Sequence, residues 1–145
     1  MTKHTHELAA ISVVSYWLLS NFSSPITWQT FFGIGAAAVI GGIIPDIDNV
    51  ASPAWKYSIL PWEDDQTREF LHGHRHISHS VLGVILFTFV LKILFSLIHI
   101  PSLDTSLIVE AFGAGMLSHL LTDSLTIQGV PWLYPIPIKF GFPPF

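Results

Sequence analysis

The chain contains no cysteine. That excludes a disulfide framework and any thiolate metal site, so a metal ion would have to be held by His, Asp or Glu. Charge is also scarce. Only 11% of residues are Asp, Glu, Lys or Arg, against about 25% in an average soluble domain. Hydrophobic residues make up 50%, and the mean hydropathy is +0.56. Polar groups are too few to clothe a soluble protein of 145 residues, and the composition reads as that of a membrane protein. The net charge of −4 comes with no basic stripe, so nucleic acid is not an expected partner. The stretch MTKHTHELAA has one Lys and no small-residue cleavage site after its apolar segment, and does not read as a removed signal peptide. There is no internal repeat, and residues 1–145 read as one domain.

Four apolar runs are present, at Leu8–Phe22, Trp28–Ile44, Val81–Ile100 and Ser106–Leu121. A spanning helix needs about 20 residues, so the expectation is an all-α, integral-membrane bundle of about four spans. Gly33, Gly35, Gly41 and Gly42 in the second run, and Gly113 and Gly115 in the fourth, permit close helix approach. Pro45 and Pro101 stop the second and third runs. The tail from Thr126 to Phe145 reads as an irregular arm at the interface.

Threading these runs through a bilayer puts the N-terminus, the loop Pro45–His79 and the tail on one side. Lys3, Lys56, Arg68, Arg75 and Lys139 fall there, and the two short connections opposite carry no Lys or Arg. The positive-inside rule makes the first side cytoplasmic. The same threading gathers His4, His6, Asp46, Asp48, His72, His74, His76, His79, His119 and Asp123 at cytoplasmic helix ends or in the loop beside them. Lys92 and Glu110 remain inside the spans, roughly 20 Å deep at ~1.5 Å per residue. Intramembrane charges usually pair, so a Lys92–Glu110 bridge between the third and fourth helices is expected.

Three motifs carry chemistry. In IIPDIDNV, Asp46 and Asp48 stand two apart in an expected extended turn, where they serve either as ligands or as carboxylates of a solvated turn or cap. HGHRHISHS places four of the eight histidines within eight positions. If a helix begins near Ser78, His79 lies on its first turn, and His74 can bracket an ion with it. A pH-titrating cluster is the alternative. In SHLLTDSLT, His119 and Asp123 are i and i+4 on one helix face, a spacing shared by metal sites and structural hydrogen bonds. An oxygen and nitrogen donor set of this size suits Zn²⁺, with Mn²⁺ as the alternative, as one ion or as two or more bridged by carboxylate. Arg75 could hold a phosphate oxygen bidentately.

These residues also follow a known pattern in order: His6 opening the first helix, PDID at Pro45–Asp48, GHRHISHS against a G-H-R-G-hydrophobic-T-H-S pattern, and LSHLLTDSLTIQGVPWLYP at Leu117–Pro135. In this the chain resembles the YdjM-like family of inner-membrane, metal-dependent hydrolases, a family taken to be related to the zinc-dependent phospholipase C and P1 nuclease group. The resemblance implies His6, Asp46, Asp48, His74, His79, His119 and Asp123 as ligands and Arg75 as the accompanying cation. The chain departs from the pattern at His76 for Gly, Ser78 for Thr, and Asn49 where a further His often follows.

The combined expectation is a membrane-bound hydrolase of phosphoester or related bonds in a lipid or lipid-linked substrate. Asp46 or Asp48 would accept the proton, with Asp48 and Arg75 as the expected catalytic residues. The rivals are a metal sensor or transporter with a histidine-rich cytoplasmic loop, a di-iron lipid oxidase, and a purely structural membrane protein. Transport sites usually lie near the bilayer midplane, where this chain offers only Lys92 and Glu110.

Overall fold

The structure, a computed structural model, describes residues 3–21, 26–48, 77–98, 100–136 and 138–142. Among them are four α-helices: α1 (Lys3–Asn21), α2 (Trp28–Ile43), α3 (Val81–Ser96) and α4 (Thr105–Ser124). No β-strand occurs among the described residues. The helices follow the four apolar runs, with boundaries set by local chemistry. The Thr27 hydroxyl caps α2 by accepting from the Thr30 N–H, and the Asp104 carboxylate caps α4 by accepting from the Leu107 N–H. At the same end, the Asp104 N–H donates to Thr30 Oγ1 at 2.9 Å, so the starts of α2 and α4 hold each other.

The fourth helix is the centre of the bundle and packs against the other three. Leu107, Ile108, Ala111, Phe112, Met116 and Leu120 are buried along it. The approach to α2 is close because both helices bring glycine to the contact. A Cβ on Gly41 would run into the Phe112 carbonyl, and one on Gly115 into the Ala38 carbonyl. Gly35 faces open space instead, so not every glycine of that run serves packing.

Among the described residues, large apolar side chains are exposed outside this core. Tyr16, Leu19, Trp28 and Phe32 are each more than 60% exposed, a belt that a lipid phase would cover and water would penalise. Trp28–Asp46 and Thr105–Ser124 are long and apolar enough to cross a membrane, and Val81–Ser96 is a shorter apolar helix.

Three expectations are corrected. Pro45 does not lead into an extended turn: the chain continues from α2 into a 3-10 turn at Ile44–Asp48, where proline's fixed φ is compatible with helical backbone. The α-helix begins at Val81 rather than near Ser78. Ile77–His79 forms a separate 3-10 turn, and Ser80 caps α3, its hydroxyl accepting from the Gly83 N–H at 3.1 Å and donating to the Ile77 carbonyl at 2.7 Å. Lys92 and Glu110 form no ion pair, and both are exposed. The α3–α4 contact passes through Thr88 and Gly113, and both charges sit off that line on the outer surface.

The tail is irregular, as expected, but it is docked on the helix ends. Val130 and Phe140 exchange backbone hydrogen bonds of 2.8 and 2.9 Å. The Trp132 carbonyl accepts from the Val81 N–H at 3.1 Å, and the Trp132 indole N–H donates to Ser124 Oγ at 2.7 Å. One segment thus ties the start of α3 to the end of α4, the two places from which His79 and Asp123 project.

Candidate metal centre

The start of α1, the 3-10 turn after α2, the 3-10 turn before α3 and the end of α4 meet at one end of the bundle. Each contributes a side chain. His6, His79, His119 and Asp123 are buried, while the Asp46 side chain keeps 39% of its surface exposed. Asp46 Oδ1 stands 3.7 Å from His79 Nε2 and 3.6 Å from His119 Nε2. Asp123 Oδ2 stands 3.8 Å from His79 Nε2 and 3.7 Å from His119 Nε2, and its Oδ1 3.5 Å from His6 Nε2. The His6 and His119 rings stack at 3.9 Å, and His79 meets His119 edge-on at 5.3 Å.

Hydrogen bonding on the far side of the rings decides what the near side can do. His119 Nδ1 lies 2.8 Å from the Gly42 carbonyl, which can only accept, so Nδ1 carries the proton. Thr122 Oγ1 donates to the His119 carbonyl at 2.9 Å, leaving only its lone pairs for His6 Nδ1 at 2.8 Å. His6 Nδ1 therefore donates as well. In both neutral rings the Nε2 lone pair faces the cluster, toward carboxylate oxygens that are themselves acceptors. His79 Nδ1 is also engaged, 3.1 Å from Ser78 Oγ, a hydroxyl that can donate or accept.

Acceptors facing acceptors repel unless a cation lies among them. His119 Nε2 is buried with no hydrogen-bond partner, although two carboxylate oxygens are close. The separations of 3.5–3.8 Å are too long for hydrogen bonds. They come near the ~3.4 Å between two ligands of one tetrahedral zinc ion at ~2.0–2.1 Å from each. Two overlapping triplets have the spacing to hold an ion, His6–Asp46–His119 and His79–His119–Asp123, with His119 in both. The residues present therefore fit a divalent metal. Their donors are imidazole nitrogen and carboxylate oxygen, and their outer ring nitrogens are anchored as metal-binding histidines usually are. His6, just before the apolar run that starts at Leu8, has its pKa lowered by burial, against the raising pull of Asp123 and Asp46. This favours the neutral ring that a metal requires.

The structure brings together five of the seven ligands read from the sequence: His6, Asp46, His79, His119 and Asp123. His74, Arg75 and the Asp48 side chain lie outside the described residues, as do His72 and His76. Two supporting groups escaped sequence reading. Thr122 orients His6, and its place one residue before Asp123 was the available signal. The Gly42 carbonyl orients His119, and no sequence signal marks a backbone group.

The fold and the cluster define a helical membrane protein with a buried His/Asp group able to hold a metal ion. The family profile described as YdjM inner membrane protein matches residues 1–145, and the chain belongs to the YdjM family. It is 32% identical to the inner membrane protein YdjM of Escherichia coli (strain K12) over 146 aligned residues, covering 99% of this chain and 70% of the relative. The inner membrane protein YdjM of Shigella flexneri matches to the same extent. The uncharacterized protein YvsG of Bacillus subtilis (strain 168) is 29% identical over 76% of this chain and 62% of its own length. No solved structure matches the chain significantly.

Proposed function

We propose that this is a metal-dependent hydrolase of the inner membrane, acting on a phosphoester or related bond of a lipid or lipid-linked substrate. The observation that carries the reading is the set of Nε2 lone pairs and carboxylate oxygens converging on one buried point, with His6 and His119 fixed in tautomer from behind. In this reading the apolar parts of all four helices cross the bilayer and the cluster lies at the cytoplasmic face.

His6, Asp46, His79, His119 and Asp123 would hold the ion, zinc or else manganese, with Asp48 and His74 as further ligands. When bound, such an ion lowers the pKa of a water it holds to about 7 and polarises a phosphoryl oxygen. The chain's own residues supply the rest. Asp123, buried on α4, contributes charge in a dry setting where it is poorly screened. Asp46 is the exposed member and marks the side from which substrate and water enter. A carboxylate there, Asp46 or Asp48, accepts the proton from the attacking water. Arg75 holds the anionic oxygens of the substrate, a role its planar fork suits. The cluster's place at helix ends, rather than at mid-bilayer, favours this reading over transport.

The test is hydrolysis in proteoliposomes, with a panel of phospholipids and lipid-linked phosphodiesters supplied in turn. The reading expects cleavage of at least one class, abolished by chelator and by His119→Ala and restored to the wild type by zinc or manganese. Failure to cleave any of them with metal demonstrably bound would turn the assignment toward a sensor.

A further inference from the structure

Among the described residues, Lys92 and Glu110 are charges within the apolar helices α3 and α4, and neither is used by the metal cluster. Lys92 lies four residues before the end of α3 and Glu110 five residues after the start of α4. At ~1.5 Å per residue both sit roughly 6–8 Å from the loop that joins the two helices. They are at one level. With Thr88 against Gly113 fixing the line of contact, the helix register puts both on the same flank of the α3–α4 hairpin. Both are exposed there.

That flank is also where the central helix is left uncovered. Elsewhere α4 is wrapped by α1, α2 and α3, but Glu110, Leu117 and Leu121 are exposed and Ala114 is half-buried. Their spacing is four, three, four, the a/d repeat along which one helix seats against another. Leu117 and Leu121 are 40% and 55% exposed, so the strip is apolar except for Glu110. Lipid can cover leucines but cannot neutralise a carboxylate or an ammonium, and charges within a bilayer are almost always paired or turned inward.

We infer that two copies of this chain associate along the α3–α4 flank, with Glu110 of each reaching Lys92 of the other. A two-fold axis makes such a surface self-complementary: one acid and one base at the same level give two reciprocal ion pairs. The uncovered a/d strips of the two α4 helices then lie against each other, and the opposite charges that the described residues expose on that flank are satisfied together. The occupant is a second copy because this surface carries both halves of the pairing. The inference rests on the membrane placement of the helices and not on the metal chemistry.

The absence of native cysteine makes the test clean. Leu117→Cys is introduced into the full chain in native membranes, with Tyr16→Cys, exposed on α1, as the control. Mild oxidation should convert Leu117→Cys to a disulfide-linked dimer and leave Tyr16→Cys monomeric. In the Leu117→Cys background, Lys92→Glu and Glu110→Lys should each reduce crosslinking several-fold. The double variant, with the charges exchanged, should restore it, which also shows that the single variants did not merely unfold. Crosslinking no greater than at Tyr16→Cys, crosslinking to other proteins only, or a dimer indifferent to both charge reversals would each overturn the proposal.

Discussion

The rings of His6 and His119 stack at 3.9 Å, and each is held from behind, His6 by the Thr122 hydroxyl and His119 by the Gly42 carbonyl. The Thr122 hydroxyl donates to the His119 backbone carbonyl and accepts from His6 Nδ1. A single side chain thus sets the tautomer of a histidine 116 positions away.

Thr122→Val keeps the shape and removes the acceptor. The His6 ring then loses its anchor, and metal affinity should fall by about 10–100-fold, the usual effect of removing such a partner. Thr122→Ser should recover most of it. Competition with a chromogenic chelator reads the change. A Val variant that binds metal like the wild type would remove Thr122 from the account.

Gly83→Ala examines the turn that carries His79. A Cβ at Gly83 would meet the Ile77 carbonyl, so the 3-10 turn must move while the helices need not. The expected result is weakened metal binding with an unchanged helical signal. Ser80→Ala removes the cap of α3 and should cost about 1 kcal/mol of stability, visible as a lower unfolding temperature in detergent.

Gly115→Leu addresses the bundle itself. The new side chain would be driven into the Ala38 carbonyl, separating α2 from α4 and taking the Gly42 carbonyl away from His119. Overpacking of this kind costs about 1–3 kcal/mol or somewhat more. Stability and metal content should therefore fall together, unlike in Gly83→Ala. Equal loss of both in the two variants would contradict the distinction drawn between core and turn.

Protons and metal compete for the same Nε2 lone pairs, so binding should weaken on acidification. Burial lowers the pKa of His6, and a lowered pKa means that its proton returns only at lower pH. Affinity should be level near neutrality and decline below the ordinary imidazole range of about 6.5. A titration of metal binding against pH checks this, and a decline beginning above neutrality would contradict it.

Much of this was legible in the sequence because a bilayer simplifies the problem. Long apolar runs announce helices, and threading them forces His6, Asp46, His79, His119 and Asp123 to one level without any knowledge of packing. The i, i+4 spacing of His119 and Asp123 survives intact on α4. What was not legible depends on rotation about the helix axis and on backbone groups. The Lys92–Glu110 pairing within one chain followed from matched depth, but depth says nothing about where a side chain points, and both point outward from the α3–α4 contact. Ser78 looked like a helix start because a one-turn 3-10 segment has no sequence period of its own. The Gly42 carbonyl contributes no side chain to read. The tail's proline and aromatic content showed that it would be irregular, but not that Trp132 would bind the start of α3 to the end of α4.

The most direct test is the metal content of the purified protein. Zinc, manganese and iron bound per chain would be counted after gentle detergent extraction, for the wild type and for the His79→Ala and Asp123→Ala variants. The account predicts at least one zinc or manganese ion in the wild type and its loss in both variants, although the two residues sit on separate elements. A wild type that stays helical yet takes up no metal even when zinc is supplied would contradict it.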